Sequence, residues 1–323
     1  MQRQEDQRIP GSGPGTGRGR GGDPAGEPLR TLVGRIGGTP LVPLPSPEDG
    51  GRILGKAEWL NPGGSVKDRP AWSMVREALA DGRLQGRRLL DASSGNTAIA
   101  YAMLGAAGGF GVTLCVPESA SRERVRTLRA YGAELEVTDP MEGSDGAIRR
   151  ARELAEEEPG RFWYADQYAN PANPRAHYRG TGPEIWREVG DELTHLVVGL
   201  GTSGTLMGTA RFLRERLPGL TVVAVEPAEP MHGIEGLKHM ETAIRPPIFD
   251  EGLPDLRREV ATEAAQEATR RLARTSGLFV GVSSGAAWIA ARRVAAEGGR
   301  NATVVTVLPD GGGRYLDEPW WSA

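Results

Sequence analysis

A lysine at position 67 stands where its amine is suited to covalent chemistry. Lys67 lies in the stretch Asn61 to Arg69, in which Pro62-Gly63-Gly64 is a turn signal and apolar residues at helical spacing follow at once. The pattern places Lys67 at or just before a helix N-terminus, where the dipole disfavours a cation. A lysine whose protonated form is disfavoured has a lowered pKa and is a better amine nucleophile. The alternative is a solvated lysine whose charge is partly offset by Asp68.

The polar loop Ser93-Ser94-Gly95-Asn96-Thr97 follows a predicted strand and opens a predicted helix. Its hydroxyls, its amide and the free N–H groups of a helix start form a suitable cradle for a carboxylate. The same pattern is also typical of an ordinary helix N-cap.

A glycine-rich loop runs from Gly199 to Thr205 after an apolar strand. Successive N–H groups, hydroxyls and a helix dipole favour a phosphate there. The stretch also satisfies the dinucleotide fingerprint, with glycines at 199, 201 and 204 and the acidic Glu226 at about the expected distance. An NAD-dependent dehydrogenase is therefore a rival interpretation.

The stretch Gly281-Val-Ser283-Ser284-Gly285 offers a neutral hydroxyl at a sheet end, or simply another N-cap. The loops and Lys67 together supply an amine, a phosphate cup, a hydroxyl and a carboxylate cradle. Pyridoxal phosphate needs that set of groups.

The elements that must position these groups alternate between strand and helix. Predicted strands such as Arg88–Asp91, Val112–Val116 and His195–Gly199 are each followed by a predicted helix, and a strand is also predicted at Leu278–Val282. This rhythm predicts an α/β fold with mainly parallel sheets flanked by helices and ligand sites at the carboxyl ends of the strands.

Composition narrows the classes of function. The chain has 323 residues and a formal net charge of −3, which disfavours a nucleic-acid-binding protein. It has neither an apolar run of membrane-spanning length nor an apolar signal region, so no membrane partner and a cytoplasmic location are expected.

The single cysteine, Cys115, lies in an apolar run and is predicted to be a buried strand residue. The four histidines show no ligand spacing with the cysteine or with paired carboxylates, so no metal site is expected. Residues 1–28, rich in glycine, proline and arginine, are expected to form a disordered tail.

From about Leu32 to Leu316 the sequence resembles the cysteine synthase family of fold-type II pyridoxal-phosphate enzymes. The likeness rests on Asn61 to Arg69, on Ser93 to Thr97, on Gly201 to Thr205, and on the stretch Asp166 to Ile185. It implies two lobes, each with a mainly parallel twisted sheet: a smaller mobile substrate-binding domain at 61–170 and a larger cofactor-binding domain at 29–60 and 171–323.

The resemblance also implies a role for each matching residue. Lys67 would carry the cofactor as an imine and then act as the general base at Cα. The other implied cofactor contacts are Asn96, Gly201, Thr202, Ser203, Gly204, Thr205 and Ser283, with Asn96 at the 3′-oxygen and Ser283 at the pyridine nitrogen. The implied substrate contacts are Ser93, Ser94, Thr97, Gln167 and Lys238.

Departures from the family pattern bear on the substrate. Ser93 and Ala98 stand where the family commonly has threonine and glycine. The segment Glu226 to Met240 looks more like the O-phosphoserine-using branch, but Lys238 stands where that branch places an arginine. Lysine keeps the charge and loses the bidentate fork that suits phosphate.

The activity implied is a β-replacement through an aminoacrylate that forms L-cysteine from O-phosphoserine or O-acetylserine. Free sulfide or a protein thiocarboxylate on a sulfur-carrier partner would supply the sulfur, and a homodimer is expected. The alternatives are a cystathionine β-synthase, the dehydrogenase, and a non-catalytic binding protein, which would have no need of Lys67.

Overall fold

The computed structural model describes residues 26–322, in two sheets with helices on both faces. Residues 1–25 of the predicted tail lie outside the described residues. Gly26 to Pro28, which we had also placed in the tail, instead form the first turn of a helix.

Strands and helices alternate along most of the chain, as the sequence predicts. The strands are β1 (Leu41–Leu44), β2 (Arg52–Ala57), β3 (Arg88–Ala92), β4 (Val112–Pro117), β5 (Glu134–Thr138), β6 (Phe162–Tyr164), β7 (His195–Gly199), β8 (Thr221–Pro227), β9 (Leu256–Val260) and β10 (Thr303–Leu308). The α-helices are α1 (Gly26–Val33), α2 (Asp68–Ala80), α3 (Asn96–Gly108), α4 (Arg122–Ala130), α5 (Gly143–Glu157), α6 (Ala172–Arg179), α7 (Thr181–Val189), α8 (Gly204–Arg214), α9 (Thr262–Ser276) and α10 (Val282–Gly298). Within residues 26–322, no helix combines the length and apolarity needed to cross a membrane.

The strands form two sheets, which define two lobes. The larger lobe contains a six-stranded sheet of order β1-β2-β10-β7-β8-β9, in which only β1 runs antiparallel to its neighbour. The smaller lobe contains a four-stranded sheet of order β5-β4-β3-β6, in which every pairing is parallel. The predicted fold class is confirmed.

The central strands of both sheets are covered by helices on both faces, so they read as continuous apolar runs. Every residue of β4 and of β10 is buried. In the larger lobe, Val197 of β7 packs on one face and its neighbours Leu196 and Val198 on the other. Cys115 of β4 is buried, and burial raises the pKa of its thiol to about 12, so it is the strand residue that we predicted.

The predicted strand at Leu278–Val282 is wrong. Only Val280 pairs, in an isolated bridge to Gly311, and Val282 is the first residue of α10. The sequence also gave no signal for the three-residue strand β6, for the largely exposed β9 or for the short polar helix α6.

Helix α1 lies on the smaller lobe. Its residues Leu29, Leu32 and Val33 pack against the same core as helix α3. The beginning of segment 29–60, which we assigned to the larger domain, therefore packs on the other lobe.

Candidate active site

A cavity of about 600 Å³ lies between the carboxyl ends of the two sheets, a size typical of small-molecule sites. The loops after β3, β7 and β10 all reach it, as do the segments after β4, β6 and β8. Every predicted site residue lines it except Gly204, which begins α8 behind the wall. The predicted residues brought together are Lys67, Ser93, Ser94, Asn96, Thr97, Gln167, Gly201, Thr202, Ser203, Thr205, Lys238 and Ser283.

Lys67 is the N-cap residue of α2, the position expected from the sequence. Burial lowers the pKa of its amine, and the nearby carboxylate of Asp310 only partly opposes that shift. In the part of the chain that the structure describes, no carboxylate forms an ion pair with the amine. Lys67 therefore offers a cavity-facing amine whose neutral form is favoured.

A buried ion cluster fixes the segment that carries Lys67. Arg69 donates to Glu58 Oε2 at 2.6 Å and to Glu184 Oε2 at 2.7 Å, which ties the start of α2 to the larger lobe. Burial alone would raise the pKa of Glu184, but the hydrogen bond and charge of Arg69 outweigh it and lower that pKa to about 2. The two glutamates balance the charge of the buried Arg69 guanidinium.

The loop from Gly201 to Thr205 forms a cup at the N-terminus of α8. Ser203 is held in the left-handed region at φ 69°, and a Cβ at Gly201 would lie 2.3 Å from the carbonyl oxygen of Gly236. Ser203 Oγ is buried, and no hydrogen-bond partner reaches it among residues 26–322. A buried hydroxyl without a partner at the start of an 11-residue helix suits a phosphate oxygen.

Two residues of α6 support this cup, although the sequence pattern predicts no role for them. Asn173 Nδ2 donates to Thr202 Oγ1 at 3.1 Å. His177 lies between Thr181 Oγ1, 2.9 Å from its Nδ1, and Thr205 Oγ1, 3.3 Å from its Nε2. Burial, followed by the charges of Arg69 and Lys67, lowers the pKa of His177 well below its ordinary value, so the imidazole is neutral. The stretch Asp166 to Ile185, which carries part of the family resemblance, contains both residues but does not indicate these contacts.

The loop from Ser93 to Thr97 lies opposite, at the N-terminus of the 13-residue helix α3. Ser93 Oγ accepts from the N–H groups of Gly95 and Ala98 at 3.2 and 3.3 Å. Thr97 donates to Gln167 Oε1 at 2.8 Å, which joins two residues that we predicted for a carboxylate site. The structure therefore places these two residues, which are distant in sequence, on the same wall of the cavity.

A buried acid beneath this loop was not foreseen. Asp91 Oδ2 accepts from the Tyr101 hydroxyl at 2.9 Å and from the Gln167 N–H at 3.2 Å. Burial raises the pKa of Asp91 to about 7 despite these donors. A polar residue within an apolar strand is the only signal that could have drawn attention to it.

Lys238 lines the cavity and is largely buried. Its Nζ is 3.7 Å from Asp145 Oδ1 of helix α5 and 5.1 Å from the centre of the Tyr168 ring. Burial lowers the pKa of its amine, and Asp145 opposes the shift. A second cation of the cavity lining, Arg124 of α4, is also buried and pairs with Glu235. Both ion pairs cross from the smaller lobe to the segment after β8.

The comparisons with known proteins agree on one family. The family model of the pyridoxal-phosphate dependent enzymes matches residues 32–310. A cysteine synthase of Aquifex aeolicus is 49% identical over 304 residues, covering 90% of this chain and 93% of that protein.

Solved structures give the same result. An O-acetylserine dependent cystathionine β-synthase from Helicobacter pylori matches with a TM-score of 0.84 at 36% identity, covering 90% of this chain and 98% of that one. A cysteine synthase from Entamoeba histolytica matches with a TM-score of 0.85 at 35% identity, covering 98% of this chain and 95% of that one.

The position of Glu226 argues against dinucleotide binding at the glycine-rich loop. Glu226 is not among the residues that line the cavity, and its carboxylate accepts from the Met240 N–H at 3.3 Å and lies 3.8 Å from Arg257. It is therefore not placed to bind a ribose beside the glycine-rich loop.

Proposed function

The chain belongs to the family of pyridoxal-phosphate dependent enzymes, and we propose that its cavity uses that cofactor to form L-cysteine by β-replacement on an O-activated serine. The observation that carries the proposal is the convergence of the Lys67 amine, the Gly201–Thr205 cup and the Ser93–Thr97 loop on one cavity. The enzyme is thus a cysteine synthase that takes O-phosphoserine or O-acetylserine and a sulfur donor.

The residues present fit the cofactor. The unpartnered hydroxyl of Ser203 and the start of α8 would hold its phosphate, with Gly201, Thr202, Gly204 and Thr205 shaping the cup. Lys67 would hold its aldehyde carbon. Asn96 and Ser283 would contact the ring oxygen and the ring nitrogen. When bound, pyridoxal phosphate supplies an electron sink that makes the Cα proton acidic and allows the β-substituent to leave.

Lys67 performs the proton transfers. Once the amine of the donor amino acid has displaced Lys67 from the cofactor, the freed Nζ, whose neutral form burial favours, would accept the Cα proton and return it after the sulfur nucleophile has added at Cβ. A fully protonated lysine at this position could not act as a base.

The Ser93–Thr97 loop orients the substrate carboxylate. The free N–H groups at the start of α3 and the hydroxyls of Ser93, Ser94 and Thr97 face it, and Gln167 completes the wall. Closure of the smaller lobe, residues 61–170, over the larger lobe would exclude water from the reacting atoms. The ion pairs Arg124–Glu235 and Lys238–Asp145 join the two lobes beside the cavity.

The absorption spectrum of the purified protein tests the proposal. Wild type should show a visible cofactor band, and Lys67→Ala should lose the band together with cysteine formation. Lys238→Ala is the matched control, because it removes the other cavity lysine and should keep the band. The chain has three lysines, so reduction with borohydride followed by peptide mass analysis should mark Lys67 alone. A colourless wild type, or a band unchanged in Lys67→Ala, would refute the proposal.

The donor we favour is O-phosphoserine. Lys238 places a cation in the cavity wall with only a long contact, 3.7 Å, to Asp145, so an incoming phosphate can compete for it. Lys238→Ala should reduce kcat/KM for O-phosphoserine by about tenfold or more and for O-acetylserine by less than about threefold. Lys238→Arg should retain the preference for O-phosphoserine over O-acetylserine. Equal losses of kcat/KM with both donors would contradict a role for Lys238 in binding the phosphate.

Cystathionine formation is the second candidate, because the Helicobacter pylori structure of that activity matches most of both chains. Assays with sulfide and with homocysteine as competing acceptors distinguish the two. A homodimer, a cytoplasmic location and delivery of sulfur by a carrier protein are further parts of the proposal that rest on the family resemblance.

A further inference from the structure

A buried carboxylate, Asp310, lies in the cavity wall without a role in the mechanism above. It follows β10, is 1% exposed and lines the cavity. Its backbone pairs with Ser65, two residues before Lys67, and its carbonyl accepts from the Gly281 N–H at 3.1 Å. Asp310 therefore stands where the Lys67 segment and the start of α10 meet.

The two carboxylate oxygens of Asp310 have different surroundings. Oδ2 accepts from Asn96 Nδ2 at 2.7 Å and from the Tyr315 hydroxyl at 2.6 Å. Oδ1 is buried, and no donor in the described part of the chain reaches it. A Cβ at Gly281 would lie 2.1 Å from this oxygen, so the backbone leaves room for the carboxylate only because residue 281 is glycine.

An ionised carboxylate only accepts hydrogen bonds, so it dictates which end of the Asn96 amide faces it. The nitrogen of Asn96 must point to Asp310, and the second N–H of that nitrogen stays available to a ligand. We propose that Asp310 is a positioning residue that orients Asn96 as a donor toward the ring oxygen of the cofactor and ties the smaller lobe to the larger one. This inference rests on the proposed function, in which Asn96 contacts the cofactor.

The burial of Asp310 supports a functional role over a merely structural one. A buried carboxylate with one unpartnered oxygen is expensive, and an apolar or amide side chain would fill the same place at lower cost. The hydrogen bond to Asn96 also crosses between the lobes, since Asn96 begins α3 of the smaller lobe and Asp310 follows β10 of the larger.

A double-mutant cycle tests the inference. The dissociation constant of pyridoxal phosphate is measured by absorbance for wild type, Asp310→Asn, Asn96→Ala and the double variant. Asp310→Asn should weaken binding about tenfold in wild type and less than about twofold in the Asn96→Ala background, because it acts through Asn96. Equal weakening in both backgrounds would overturn the inference. A wild type without a cofactor band would instead refute the proposed function.

Two further variants control for folding and for the hydroxyl. Tyr315→Phe removes the other donor to Oδ2 but keeps the charge, and should change the dissociation constant by less than about threefold. If Asp310→Asn does not fold, Gly281→Ala displaces the carboxylate by the added Cβ and should reproduce the tenfold loss. A Gly281→Ala protein that binds the cofactor as wild type does would equally overturn the inference.

Discussion

Two loops of the same design face each other across the cavity, yet they are packed very differently. Gly201–Thr205 in the larger lobe and Ser93–Thr97 in the smaller lobe each follow a parallel strand and open a helix. A Cβ at Gly204 would lie 2.0 Å from Asn173 Oδ1, whereas a Cβ at Gly95 would meet nothing within 4 Å. The first loop is closely packed on its own lobe, and the second has free space around it.

The hydrogen bonds of the two loops differ in the same sense. In the larger-lobe loop, Thr202 and Thr205 are held by Asn173 and His177 of one neighbouring helix. In the smaller-lobe loop, Thr97 contacts Gln167, and Asn96 reaches across to the other lobe. One design thus serves two tasks: a fixed cup suits a cofactor that stays bound, and an open loop suits a substrate that enters and leaves in each turnover.

Gly204→Ala should have the largest effect on this contrast. Its Cβ must displace Asn173, and overpacking of that kind costs about 1–3 kcal/mol. The free energy of unfolding should fall by that amount, and the dissociation constant of pyridoxal phosphate should rise by up to about 100-fold. Gly95→Ala is the matched control. It should change the free energy of unfolding by less than about 1 kcal/mol and the dissociation constant by less than about fivefold. Similar losses at both glycines would show that the packing difference has no functional meaning.

Acid should loosen the fixed loop through His177. The pKa of this histidine is lowered in the folded protein from an ordinary value of 6.5, so below that pH the unfolded chain binds the proton more tightly than the folded one. The contribution of His177 to stability should therefore be complete above pH 6.5 and fall with decreasing pH, by up to about 1.4 kcal/mol per pH unit.

The measurement is the difference in free energy of unfolding between wild type and His177→Gln from pH 6.5 to about 5.5, because Asp91, whose pKa burial raises to about 7, also changes stability near this range in both proteins. His177→Gln keeps hydrogen-bonding groups but cannot titrate, so wild type should lose more stability than this variant as the pH falls. If the free energies of unfolding of the two proteins changed in parallel with pH, groups other than His177 would be responsible for the change.

Ser203→Ala should separate ligand binding from stability. The hydroxyl has no partner among the described residues, so its removal should leave the cofactor-free protein as stable as before, or slightly more so. The dissociation constant of pyridoxal phosphate should rise about tenfold, because a hydrogen bond to a charged group is lost. Ser284→Ala removes another buried hydroxyl, which has no partner within residues 26–322 and does not line the cavity, and it should leave cofactor affinity unchanged.

The contrast between the loops also shows what the sequence could and could not predict. The glycines and hydroxyls of both loops, and their places after apolar strands, are local signals, and the cavity contains nearly all the residues that they indicated. Lys67 could be placed at a helix start because turn residues and helical spacing flank it directly.

The supporting residues could not be predicted in the same way. Asn173, His177 and Asp310 act through contacts with residues distant in sequence, and their own neighbours form no pattern that encodes those contacts. The false strand at Leu278–Val282 has a similar origin: its apolar residues resemble a strand, but Gly281 and the start of α10 leave only Val280 to pair.

The smallest effect is expected at the open loop itself. Thr97→Val keeps the shape of the side chain but removes the hydrogen bond to Gln167 Oε1, which is 2.8 Å long. The lost bond is worth about 1 kcal/mol, so KM for the amino-acid donor should rise about fivefold. Cofactor affinity should stay within about twofold, because this loop does not hold the phosphate.

Thr306→Val is the matched control for that variant. It also removes the hydroxyl of a buried threonine, which bonds the Val197 carbonyl at 2.8 Å within the larger sheet. It should lower the free energy of unfolding by about 1 kcal/mol and leave KM unchanged. If Thr97→Val instead weakened the cofactor as strongly as it raised KM, the two loops would share one task, and the division between a fixed cofactor cup and an open substrate loop would not hold.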